Sequence, residues 1–226
     1  MEPALSISRS VRPLLEASAR PGIGLGRGYV DVGGYVLALV PRGAPRLPNG
    51  IESDAPVAAG EHVLVGDGAV RTRYVMVTGG PEWEPVPRPR VFPRMTVEVR
   101  LDVERLAGRG SGLTPSGDDI LIGYVAGLAL FHGDRATARA IAAVARRRTT
   151  ALSATLLRHA AEGELPEPAH AALERGDVAP LLSWGHSSGR SLLVGLAVAA
   201  SDPEAHRREH SARDVARREA VSGRVM

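Results

Sequence analysis

The apolar positions change period partway along the chain. From Tyr29 to about Val99, short β-branched runs alternate with turn residues. "YVDVGGYVLALV" breaks at Gly33-Gly34 and "HVLVGDGAVRTRYVMVTG" at Gly66-Asp67-Gly68, the pattern of hairpins. The segment Pro81–Pro93, "PEWEPVPRPRVFP", carries five prolines, which exclude helix interior and central strand and predict a connector over the surface. Beyond it alanine and leucine recur at helical spacing, so helices are expected at about 119–132, 135–147, 150–162, 167–175 and 189–200. Residues 201–226 alternate charge with almost no large apolar side chains and read as a charged, disordered tail. The predicted fold is α+β: a small N-terminal β domain, barrel- or sandwich-like, over residues 1–100, packed on an α-helical domain over 101–200.

Two stretches break the helical half's apolar monotony. "GSGLTPSGDDILIGYVAGLAL", residues 110–130, opens with a polar knot and then turns wholly apolar. Ser116 fits an N-cap, with Asp119 three residues on completing a capping box. Helix neighbours point about 100° apart, so Asp118 is left without a capping role. It either complements the positive helix end or meets a ligand. Gly110, Gly112 and Gly117 leave backbone open to close approach while Ser111 and Thr114 add hydroxyls, so the loop reads as built around a small polar ligand. "WGHSSGRSLLVGLAVAA", residues 184–200, repeats the logic at a constant offset: 188 minus 116, 193 minus 121 and 195 minus 123 each give 72. The pairing predicts two helices side by side, held close by Gly123, Gly127 and Gly195, with their positive ends on one cavity containing both Asp118 and His186. Such a mouth attracts phosphate or carboxylate, and Asp118 would accept from an amide. With Asp119 it would alternatively coordinate a divalent cation such as magnesium, the one cofactor the residues leave open.

Composition narrows the chemistry. The chain has 226 residues and no cysteine, which excludes disulfides, thiolate nucleophiles and cysteine-based metal sites. Its 28 basic residues are all arginine, so Schiff-base and P-loop lysine chemistry are impossible. The net charge of +3 is dispersed, the densest cluster being Arg146-Arg147-Arg148, and aromatic residues are 4% of the chain. Nucleic-acid binding is therefore not expected. The longest apolar run, Ile120–Phe131, is too short to cross a bilayer, and charges occupy the N-terminal region where an export signal needs an apolar block. No membrane association is expected, and residence is expected to be cytoplasmic.

"GLTPSGDDILIG" at 112–123 with "GHSSGRSLLVGL" at 185–196 resembles the AllH-like family, named for a subunit of oxamate carbamoyltransferase from purine (allantoin) catabolism. "RRTTALSATLLRHAAEGE" at 147–164, "LPNGI" at 47–51 and "EWEP" at 82–85 extend the resemblance over roughly residues 29–200. It implies a multisubunit assembly converting oxalurate and phosphate to oxamate and carbamoyl phosphate, with other subunits as partners. It also implies an acidic residue where this chain has Ser191. Carbamoyl transfer needs an anion site, donors for a developing oxyanion and acceptors for the carbamoyl NH₂. On that reading the anion sits around Ser116-Gly117 and Ser188-Gly189 with Arg148 as counter-charge. Asp118 takes the NH₂ group and His186 shuttles the proton. Thr149 or Thr150 caps the following helix, which carries Ser153.

Two other classes compete. A non-catalytic scaffold subunit would only supply helices to its partners. Gly185-His186-Ser187-Ser188-Gly189 also matches the G-x-S-x-G elbow of serine hydrolases, but an elbow needs a buried strand before it, and "VAPLLSW" is short and follows no βα alternation.

Overall fold

The structure is a computed structural model, described here for residues 2–93 and 101–201. The expected charged tail lies outside these residues from 202 onward, as does the part of the expected β region at 94–99. Ten strands, β1 (Glu2–Pro3), β2 (Ser6–Ser8), β3 (Arg20–Gly26), β4 (Tyr29–Val32), β5 (Tyr35–Val40), β6 (Gly50–Glu52), β7 (His62–Gly66), β8 (Ala69–Arg71), β9 (Met76–Thr78) and β10 (Glu82–Trp83), form one mixed sheet. Their order is β1-β9-β8-β7-β3-β4-β5-β6-β2-β10. The sheet curls into a half-barrel. Its distant strands β9 and β6 are bridged by consecutive residues, Ala4 N–H donating to Thr78 O at 3.0 Å and Leu5 N–H to Glu52 O at 2.9 Å.

The sheet begins much earlier than Tyr29. Residues 2–8 and 20–26 carry too little apolar alternation to read as strands, yet β1 and β2 pair in parallel or mixed fashion with strands far along the chain. The two expected hairpins form. Gly33 and Gly34 (φ 63° and 82°) turn β4 into β5, and Asp67 and Gly68 (φ 49° and 76°) turn β7 into β8; these left-handed conformations favour glycine. Within the proline-rich connector, Glu82–Trp83 adds an edge strand and Trp83 is buried.

The helical region comprises α2 (Val103–Leu106), α3 (Ser116–Phe131), α4 (Arg135–Ala145), α5 (Ala151–Ala160), α6 (Glu167–Arg175), α7 (Ala179–Leu182) and α8 (Ser188–Ala200), while a short α1 (Arg12–Glu16) lies in the N-terminal half. The five expected helices are present, α3 beginning three residues earlier than the apolar run suggested. The short helices α1, α2 and α7 have too few turns to show a period. No described helix is long and apolar enough to cross a membrane.

Strand β5 joins the two halves. Leu37 and Leu39 face the barrel core with Val30, Ile51 and Val65, whereas Val36 belongs to the helical core with Leu121, Leu157 and Leu192. A strand buried on both faces reads as the continuous apolar run "YVLALV" rather than an alternation. Its polar backbone needs partners in that interface. Val36 N–H donates to Thr155 Oγ1 of α5 at 2.9 Å, and the buried Asn49 Nδ2 donates to Val36 O at 2.7 Å.

Candidate functional site at two paired helix mouths

Helices α3 and α8 run side by side in the same direction. Near their N-termini Thr114 Oγ1 and Ser188 Oγ are 3.2 Å apart, as are Ser116 Oγ and Ser187 Oγ. Beyond the last turn of α3, His132 Nε2 lies 2.8 Å from Ala199 O at the end of α8. The close approach is imposed by glycine. A Cβ on Gly123 would stand 2.1 Å from Leu192 O, and one on Gly195 would stand 2.0 Å from Ile120 O. The two contacts are each other's image under the 72-residue offset, because Ile120 and Leu192 are themselves so related.

The correspondence extends to how each helix starts. Gly117 N–H donates to Arg109 O at 2.9 Å and Gly189 N–H to Trp184 O at 3.1 Å. A Cβ on Gly117 would lie 2.1 Å from Leu106 O at the end of α2; one on Gly189 would lie 1.6 Å from Leu181 O in α7. Each Ser-Gly pair therefore marks a short helix crossing tightly onto the first turn of a long one. Of the N–H groups expected to form the anion cradle, those of Gly117 and Gly189 are therefore already donated to backbone carbonyls.

The capping box is also corrected. Pro115 and Ser187 occupy the cap positions, neither α3 nor α8 has a side-chain cap, and Ser116 is the first residue of its helix. Asp119 does not reach back to the cap.

The two adjacent aspartates face different surroundings. Asp118 is fully buried; its Oδ1 accepts from Gly108 N–H at 2.7 Å and its Oδ2 accepts from the Thr149 hydroxyl. It ties the turn after α2 and the turn before α5 to the first turn of α3. Both of its oxygens have partners, whereas His186, expected beside it, is exposed. Asp119 is 1% exposed and lies against the paired mouths. Burial pushes its pKa up to about 6; hydrogen bonds from the Ser188 and Thr114 hydroxyls oppose the shift, and the Asp118 charge adds to it. Among the described residues Asp119 Oδ2 has no hydrogen-bond partner.

The remaining candidates scatter. Ser111 and Gly112 are exposed on the loop, and His186 and Ser187 are exposed at the start of α8. Arg148 pairs with Glu104 of α2, Nη2 lying 3.2 Å from Oε2. Thr150, rather than Thr149, caps α5: its hydroxyl accepts from Ser153 N–H at 3.1 Å and donates to Leu113 O at 2.7 Å, anchoring the glycine loop. Ser153 is fully buried, and its Oγ has no partner among the described residues. Among the described residues no group of three or more His, Asp or Glu side chains is placed to hold a metal ion. The residues preceding Gly185 form helix α7 rather than a strand, so the hydrolase elbow lacks its support. Gly108 and Thr149, which hold Asp118, escaped sequence reasoning because nothing in the chain links them before it folds.

Neither the curated proteins nor the solved structures yielded a match to this chain. A family match was found for the helical half, leaving "LPNGI" and "EWEP" outside it. Residues 106–200, which carry both helix mouths, match the family model of oxamate carbamoyltransferase subunit AllH.

Proposed function

We infer that the chain is a subunit related to oxamate carbamoyltransferase and that its paired helix mouths hold a small anionic or carbamoyl-bearing molecule. Asp119 carries the reading. A buried carboxylate with an unpartnered oxygen, set among the hydroxyls of Thr114 and Ser188, is a costly arrangement for folding alone. An NH₂ donor entering between the helices would satisfy that oxygen, while Ser116 and Ser187 would exchange their mutual hydrogen bond for one to the ligand's oxygen. Asp119 thereby takes the acceptor role that the residue pattern suggested for Asp118. His186, exposed just before α8, is the proton donor or acceptor in this reading. The partners are other subunits of a carbamoyltransferase complex, and the setting is cytoplasmic purine (allantoin) catabolism.

Thermal-shift measurements on the purified chain with carbamoyl phosphate, phosphate, oxalurate, oxamate and magnesium test this reading. At least one should raise the melting temperature, and Asp119→Asn should abolish the rise. No shift with any of them would overturn it. One observation favours the scaffold reading instead: the Ser116 and Ser187 hydroxyls satisfy each other across the seam, as in an ordinary helix contact. A scaffold would show no ligand shift in any variant and would gain stability only from its partner subunits.

A further inference from the structure

A second polar cluster lies where the half-barrel meets the helices. Tyr35, the first residue of β5, places its hydroxyl 3.0 Å from His159 Nε2 near the end of α5. His159 Nδ1 lies 2.5 Å from Glu164 Oε2. His159 is 8% exposed, and its ring meets that of Tyr35 edge-on at 5.7 Å. Glu164 therefore fixes Nδ1–H as a donor and turns Nε2 toward the phenol. All three residues of this relay line a cavity of about 610 Å³. It is lined further by Arg139, Arg146, Arg158 and Glu162. The cavity is separate from the helix mouths, because nine residues of α5 between Thr150 and His159 span about 13 Å.

The charges facing this relay are unequal in their commitments. Arg139 binds Glu162 through two hydrogen bonds of 2.7 and 2.8 Å. Arg158 sits 5.6 Å from the Tyr35 ring centre and donates to Gly34 O at 2.7 Å. Glu164 is held by His159. Among the described residues none pairs with the Arg146 guanidinium, so the cavity keeps one uncompensated positive charge. Tyr35 has a single hydroxyl proton. With a neutral imidazole that proton is given to Nε2; with both ring nitrogens protonated, Nε2–H donates to the Tyr35 oxygen and the hydroxyl is free to donate into the cavity. An anion in the cavity favours the second state twice over, by the added charge and by the freed donor.

We propose that this cavity binds a small oxyanion, a phosphate or carboxylate group, on Arg146 and the Tyr35 hydroxyl, and that binding takes up a proton on His159. Burial, reinforced by the Glu164 charge, holds the Tyr35 phenol well above its ordinary value, so it acts as a donor and not as a phenolate. Nothing in the sequence points to the site, since Tyr35 and His159 are 124 residues apart.

Calorimetric titration of the full chain with sulfate and, separately, with oxalate tests this. Sulfate has the shape of phosphate without titrating near neutrality, and oxalate supplies carboxylates. Each titration is repeated at one pH in two buffers of different ionisation enthalpy. The expected result is saturable millimolar or tighter binding of at least one anion with net proton uptake, the preferred anion identifying the group. Arg146→Ala, an exposed position, should weaken binding at least tenfold, and Tyr35→Phe should remove the proton uptake while preserving the ring's packing. Absence of saturable binding, binding without proton uptake in the unmodified chain, or unchanged binding in Arg146→Ala would overturn the proposal; the last decides the matter even if Tyr35→Phe does not fold.

Discussion

Replacing Gly195 by alanine tests whether the two helix mouths are held together by backbone contact. The added Cβ would lie 2.0 Å from Ile120 O, 2.7 Å from Tyr124 N and 3.0 Å from Gly123 Cα, all backbone atoms of α3 that no rotamer change can move. Ordinary contact begins at 3.4 Å, so the helices must separate by about 1 Å or more along this line. Overpacking of a close-packed core costs about 1–3 kcal/mol, and rigid main chain on both sides places this case at the upper end. Alanine returns about 1 kcal/mol through its helix propensity, leaving a net loss of about 2 kcal/mol. For a chain of this size that is a fall of about 4–8 °C in melting temperature. The same separation stretches the two hydroxyl contacts now at 3.2 Å, so any ligand-induced stabilisation should fall as well. Urea denaturation followed by far-UV circular dichroism gives the stability, with Gly79→Ala as control because nothing lies within 4 Å of its Cβ. A Gly195→Ala protein within about 0.5 kcal/mol of the unmodified chain would refute the close-packed seam.

Four further outcomes are expected. Asp118→Asn sets an amide against the Gly108 N–H and Thr149 hydroxyl donors and should cost about 1–3 kcal/mol in urea denaturation; unchanged stability would remove its structural role. For Asp119 the folded pKa is raised from 3.8 to about 6, so the folded state binds more protons than the unfolded state between those values. Its contribution is favourable below the lower value and is lost as pH rises toward the upper, so Asp119→Asn should flatten a decline in stability across that window; a slope identical in both proteins counts against the shift. Thr155→Val deprives the Val36 N–H of its acceptor inside the interface, with an expected loss of about 1–3 kcal/mol and faster hydrogen exchange at Val36. Finally, a fluorophosphonate should leave Ser187 unlabelled, because its hydroxyl meets that of Ser116 rather than a base; stoichiometric labelling would revive the hydrolase reading.

The helical half was legible because its information is local. Apolar spacing marks α3, α4, α5, α6 and α8, and the 72-residue offset between the Ser-Gly motifs predicted that two helices would share a seam with their N-termini together. The first strands were not legible. β1 and β2 are two and three residues long and are defined by partners some 45 to 75 positions away, which no period within the strand reveals.

The sequence by itself determined the α+β class, the two hairpin turns and the pairing of the helix mouths, since glycine spacing, turn residues and apolar period act within a few residues of one another. Only the tertiary structure decided which of two adjacent aspartates does what. A helix turns about 100° per residue, so Asp118 is carried into the Gly108 and Thr149 donors and Asp119 toward Ser188 and Thr114. Those neighbours come from other elements, and it is burial among them, absent in the unfolded chain, that gives one carboxylate full partners and leaves the other with an oxygen unsatisfied. The Tyr35–His159–Glu164 relay has the same origin: it exists only once β5 is laid against α5.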